Sequence, residues 1–135
     1  MQIKNKKKLP LIIFLILFAL FANAKAEEFN LTAKEILIDK DKEILTGIGS
    51  VVAIDNDGNK INADKIIYNK STESLIAEGN VRITDNFNNT VITEKANFDK
   101  INEIISTFGN TEILMKEGYK LNTKNLLYNT FEKII

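Results

Sequence analysis

The sequence predicts an all-β protein: a folded-over antiparallel sheet assembled from two-strand repeats of about 30 residues. Three observations carry that prediction. Shifting the 135-residue chain by 30 places aligns Gly49, Gly79 and Gly109, and also Ile38, Tyr68, Phe98 and Tyr128. Within each repeat apolar and polar side chains alternate at a period of two, as half-buried strands require. Clusters of Asn, Asp, Gly and Ser interrupt the alternation at two fixed places per repeat. Self-similarity at such a period marks a stacked architecture. No gap is needed from Leu31 to Ile135, which gives three repeats and half of a fourth.

The sheet is expected to begin after an export segment. Lys4, Lys6, Lys7 and Lys8 precede an apolar run from Leu9 to Phe21, and Ala22-Asn23-Ala24 and Ala24-Lys25-Ala26 follow. That order of basic, apolar and small residues is a helical secretory signal peptide. The run is shorter than the roughly 20 residues of a membrane span. Residues 1–26 are therefore expected to be removed after Ala26, leaving one domain over 27–135 in the periplasm. The segment holds five of the 18 basic residues and none of the 18 acids, so the mature chain carries 13 against 18, or −5. A nucleic-acid-binding surface is not indicated.

The first strand of each repeat opens on the apolar column Leu31, Ile61, Val91, Leu121 and continues through the small column Ala33, Ala63, Thr93, Thr123. The apolar phase then jumps by three, to Ile36, Ile66, Ala96, Leu126 and on to Ile38, Tyr68, Phe98, Tyr128. A jump of three in a period-two pattern predicts a bulge or bend, near Asp64-Lys65 in the second repeat. Asp39, Asn69, Asp99 and Asn129 open the following turn, as short hydrogen-bonding side chains favour.

The second strand carries Leu45, Leu75, Ile105, Ile135, then Gly47, Ala77, Thr107, then the glycines, then Val51, Val81, Thr111 and Ala53, Ile83, Ile113. A glycine inside a strand marks a bend or a close backbone approach. One per repeat predicts a corner that the whole stack turns together. The closing turn places Gly58, Asn88 and Gly118 in one column, the residues that best tolerate a left-handed backbone. Strands joined by such short turns are antiparallel.

Alternation therefore assigns an apolar interior to Ile36, Ile38, Leu45, Val51, Ile66, Tyr68, Leu75, Ala77, Val81, Ile83, Phe98, Ile105, Ile113, Leu126 and Tyr128. Reactive chemistry has little to work with. There is no Cys and no His, which removes disulfides, thiol or imidazole catalysis and Cys- or His-based metal sites. Asp55-Asn56-Asp57-Gly58 resembles the start of a calcium loop, but the position where the loop needs a bidentate Glu is Ile66. A turn is the expected role. The column Glu43, Glu73, Glu103 follows Lys-containing turns and reads as solvated turn charge. The aromatic column Tyr68, Phe98, Tyr128 reads as cross-strand packing, with a ligand-stacking ladder as the alternative. No enzyme activity, metal or cofactor is expected.

INADKIIYNKSTESLIAEGNVRI, VITEKANFDKINEIISTFGN and LNTKNLLYNTFEKII together resemble the OstA-like domain of the lipopolysaccharide-transport family. That family includes the periplasmic bridge protein LptA and the N-terminal domain of LptD. The resemblance covers residues 29–135. It implies a β-jellyroll whose groove shelters the acyl chains of lipopolysaccharide, with the fifteen interior residues named above as groove candidates. It also implies a homo- or hetero-oligomer in which such domains stack edge to edge into a bridge between the two membranes. Two alternatives stand beside this reading. One is an N-terminal periplasmic fragment of an LptD-like outer-membrane assembly protein, suggested by the stop at Lys133-Ile134-Ile135 half-way through a repeat. The other is a structural β-repeat protein without a ligand.

Overall fold

A computed structural model describes residues 29–129. The expected signal segment, its cleavage after Ala26 and the end of the chain lie outside the described residues. All regular structure among the described residues is β. The strands are β1 (Asn30–Thr32), β2 (Glu35–Asp39), β3 (Ile44–Ile54), β4 (Lys60–Asn69), β5 (Ser74–Thr84), β6 (Thr90–Asp99), β7 (Ile104–Phe108), β8 (Thr111–Leu114), β9 (Lys120–Thr123) and β10 (Leu127–Asn129). All ten belong to one sheet, and every pairing is antiparallel. β3 to β6 each run unbroken through the bend. β1 with β2, β7 with β8, and β9 with β10 are single passes interrupted there.

Directly opposed residues of antiparallel strands share a face, so the register converts sequence columns into rows across the sheet. On one side of the bend Ile38, Leu45, Tyr68, Leu75, Phe98, Ile105 and Tyr128 stand opposite one another in succession. The next inward row is Ile36, Gly47, Ile66, Ala77, Ala96 and Thr107. Beyond the bend, Leu31, Ala53, Ile61, Ile83, Val91, Ile113 and Leu121 form another.

The bend lies at the glycine column. Register shifts between Ile48 and Val51 in β3 and between Glu78 and Val81 in β5. Gly49-Ser50 and Gly79-Asn80 occupy those gaps, all four residues at positive φ, and Gly109 separates β7 from β8 at φ 91°. Two residues on the glycine-bearing strand thus face one on its neighbour: Gly49-Ser50 against Asp64, and Gly79-Asn80 against Glu94. The sequence pattern placed the extra residue near Asp64-Lys65. The structure puts it on the glycine strands, because only they carry a residue that turns left-handed without a Cβ penalty. The phase jump in β4 is the imprint of its neighbours' bulges.

The turns are built from the same few interactions each time. Asp39, Asn69 and Asp99 accept hydrogen bonds from backbone N–H groups two or three residues on, closing the first turn. Glu43, Glu73 and Glu103 end that turn at φ 56°, 51° and 53°. A left-handed conformation is uncommon for glutamate. Here it presents a carbonyl to the next repeat: Lys70 N–H donates to Glu43 O, and Lys100 N–H donates to Glu73 O. In the other turns Asp55 Oδ1 accepts from the backbone of Asp57 and Asn59, and Asp85 Oδ1 from Phe87 and Asn89. Gly58, Asn88 and Gly118 take φ of 90°, 68° and 99° in these turns. Two parallel ribs of stacked turns result, one along each lip of the folded sheet.

Phe29 shows that the two halves face each other. It precedes Asn30, whose partner Ile54 adjoins the Asp55 turn, so it stands at one lip. Its ring meets Tyr68 at 5.7 Å and Phe98 at 5.9 Å, edge to face, in the row nearest the other lip. Between the halves lies the core, with Ile66, Leu75, Val51 and Val81 its largest fully buried side chains. The outer face is not uniformly polar. Lys65, Glu78 and Lys95 stand in succession across β4 to β6, yet Ile67 and Ile76 face each other beside them.

Candidate functional site: an apolar groove between two ribs of turns

Pairing geometry puts three small residues beside Ile66 in the inward row next to the bend, and large residues in the row nearer the lip. Gly47, Ala77 and Ala96 occupy one inward row, while Leu75, Phe98, Ile105 and Tyr128 occupy the row nearer the lip. The sheet consequently does not pack solid. A cavity of about 520 Å³ remains between its halves. Its walls are Phe29, Ile61, Leu75, Ala77, Ile83, Ala96, Phe98, Ile105 and Tyr128, with one polar residue, Asn97 of β6, among them. Its rim is polar: Asp55, Asp57, Asn59, Asp85, Asn86 and Asn89, with the ring of Phe87, come from one rib, and Lys100 and Glu103 from the other. An oily floor under a wet rim is the arrangement that suits an amphiphile, since apolar ligand surface gains from leaving water while a polar head stays at the mouth.

The fifteen interior residues expected from alternation separate into three groups. Leu75, Ala77, Ile83, Phe98, Ile105 and Tyr128 line the cavity. Val51, Ile66, Tyr68, Val81 and Ile113 are buried in the packed floor, and Leu45 and Leu126 are half-buried. Ile36 and Ile38 lie on the inward rows but are 43% and 63% exposed. They belong to β2, an edge strand over which no further described strand folds, so the row ends in the open. The corner glycines Gly49, Gly79 and Gly109 sit at the bend, away from the cavity walls.

Phe29 was not among the expected groove residues. It precedes the first full column, and its equivalents in later repeats are Asn59, Asn89 and Tyr119. Its signal was the alternation Phe29-Leu31-Ala33, which puts all three on the inward face. Ala96 carried a clear column signal and also lines the cavity.

Charge at the rim is already engaged locally. Asp55 and Asp85 each accept two backbone N–H donors through Oδ1 and an Asn side-chain amide through Oδ2. Those contacts account for the calcium-loop likeness of Asp55-Asn56-Asp57-Gly58: its first carboxylate closes its own turn. Asp99, at the start of the turn that carries Lys100 and Glu103, is held below the ordinary carboxylate value of 3.8, mainly by the Asn102 side-chain amide and then by the Asn102 backbone N–H. At one end of the bend the interior becomes polar. Thr111 Oγ1 lies 2.7 Å from Thr107 Oγ1 and 3.2 Å from Thr93 Oγ1, and Thr107 Oγ1 accepts from Leu126 N–H. These buried hydroxyls satisfy one another where the last pass of the sheet breaks.

Residues 19–135 match the protein family described as OstA-like protein. The chain belongs to that family. This OstA-like chain also matches the crystal structure of LptH from Pseudomonas aeruginosa, at a TM-score of 0.71 and 11% sequence identity, with 80% of each chain covered. LptH is described as the LptA-homologous periplasmic component of that organism's lipopolysaccharide transport device. The fold of the OstA-like chain is therefore the LptA-type β-jellyroll. No curated protein matches it in sequence.

Proposed function

We propose that this OstA-like chain is a periplasmic carrier that shelters lipopolysaccharide acyl chains in its groove and forms part of a bridge between inner and outer membranes. The observation that carries the reading is the cavity of about 520 Å³, whose walls are apolar apart from Asn97 and whose other polar groups stand at its rim. Burying lipid contributes about 0.8 kcal/mol per methylene, so ten sheltered methylenes supply about 8 kcal/mol before ordering costs. That suffices for binding with no bond made or broken. The reading is of a carrier and not an enzyme: the groove walls are hydrocarbon apart from the amide of Asn97, and the carboxylates Asp55 and Asp85 at the rim are occupied by their turns.

In this reading residues 1–26 direct export and are removed after Ala26, and the domain spans 27–135. The described sheet has open edges along β1 and β2 on one side and along β9 and β10 on the other. Unpaired edges invite another strand, so further jellyroll domains, of the same or another chain, dock there. The LptH likeness is consistent with this placement.

A photo-crosslinking amino acid distinguishes the groove from the outer face. With benzoylphenylalanine at Ile83 or Ile105, lipopolysaccharide adducts are expected. At Arg82, which is exposed on the outer face beside Ile83, none is expected. Equal labelling at all three positions would remove the groove from the account.

A further inference from the structure

We propose that Phe29 is an intramolecular plug: β1 holds its ring in the groove, and an acyl chain enters that space when β1 lifts from β3. The inference rests on the lipid-groove reading above and concerns how that groove is opened. Phe29 is 8% exposed, yet it lines a cavity that stays open beside it. Its ring sits edge to face against Tyr68 and Phe98, with Lys100 Nζ 5.1 Å from its centroid on the opposite lip. A chain segment from one lip thus reaches across the mouth and touches the other. The contacts are those that an apolar ligand entering the mouth would compete for, since aromatic pairs and cation–π contacts hold a ring weakly and reversibly.

The strand that follows the ring is, with β10, one of the two shortest and most lightly anchored in the sheet. β1 is three residues long and pairs with β3 alone through Asn30–Ile54, Leu31–Ala53 and Thr32–Val52. Edge elements with few partners open at low free-energy cost. Ala33-Lys34 separates β1 from β2, and Lys34 N–H bonds to Gly49 O at the bend, so β1 can leave while β2 stays. Removing the ring then does two things: it frees volume in the groove, and it abolishes the competition between ring and ligand. If the open form is the minor one, apparent affinity and loading rate are reduced by its population.

The test uses 11-(dansylamino)undecanoic acid, an acyl chain with a fluorescent head, on three proteins. One is the wild type and the second is Phe29→Ala. The third carries Asn30→Cys with Ile54→Cys. Those two positions are exposed and directly opposed, and the native chain has no cysteine. Opposed antiparallel Cα atoms are about 4.5–5.5 Å apart, within the range a disulfide spans. Oxidation pins β1 and the adjacent Phe29. Loading of the oxidised pair is expected to slow by about tenfold relative to the reduced pair, and Phe29→Ala to load faster and bind tighter by a similar factor. Circular dichroism melts accompany each variant, and if Phe29→Ala does not fold, the redox comparison decides alone. Equal loading of oxidised and reduced protein, or weaker binding by folded Phe29→Ala, overturns the plug while leaving the groove intact. Absence of a fluorescence gain in every variant overturns the groove itself and the plug with it.

Discussion

Alanine at Gly79 tests the bend from which the groove is folded. Gly79 has φ 80°, and a Cβ there would lie 2.5 Å from Asp64 Oδ2 and 3.0 Å from Asp64 Cβ. Gly109 has φ 91°, and a Cβ there would meet nothing within 4 Å. Both substitutions incur the left-handed penalty of an L-residue, about 1–2 kcal/mol. Only the first also pushes aside the Asp64 carboxylate, which accepts a hydrogen bond from the Asn80 side chain at 2.9 Å. Losing that bond adds about 1 kcal/mol. Gly79→Ala is therefore expected to cost about 2–3 kcal/mol, and Gly109→Ala about 1–2 kcal/mol. The extra cost should shrink when Asp64 is already alanine, which removes the carboxylate and its hydrogen bond but leaves the Cβ 3.0 Å away, so that Gly79→Ala in that background costs closer to what Gly109→Ala costs. Urea unfolding followed by circular dichroism gives all the values on one scale. Equal costs at the two glycines, or an undiminished cost in the Asp64→Ala background, would refute the assignment of the bend to a crowded bulge.

The other predictions concern the core, the ribs and the lip. Leu75 is 2% exposed in the centre of the lip row. Leu75→Ala should lower the unfolding free energy by about 2–5 kcal/mol, read in the same urea assay, through lost burial and the void left behind. Asp85→Ala removes the acceptor of two backbone N–H groups and one side-chain amide. It should cost about 1–2 kcal/mol, while added calcium should leave the wild-type melting temperature unchanged. Asp99 titrates below 3.8 chiefly because of Asn102. A depressed carboxylate stabilises the fold above its unfolded value and loses that contribution as pH falls through its folded value. An NMR titration of Asn102→Ala should show the Asp99 midpoint moving up toward the ordinary value, with less acid sensitivity below pH 3.8.

Much of this molecule was legible because its repeat writes each contact several times over. Tyr68, Leu75, Phe98 and Ile105 are in one row because the 30-residue columns and the turn lengths fix the register together. Phe29 was harder to read, since its packing partners come from folding the sheet over, which a column comparison does not contain. The outward pair Ile67 and Ile76 is invisible to a rule that sends apolar residues inward. The exposure of Ile36 and Ile38 follows from their place at an edge, a property of where a stack stops and not of any residue in it. The bulge was recognised from a phase jump in β4 but belongs to Gly49-Ser50 and Gly79-Asn80, because the same offset between two strands is seen from either side.

The most direct measurement is a crystal structure of the protein grown with lipopolysaccharide. Acyl-chain density should lie between Leu75, Ala77, Phe98, Ile105 and Tyr128, with the sugar head outside the rim of turns. Acyl chains resting against Ile67 and Ile76 on the outer face, with the groove empty, would contradict the account.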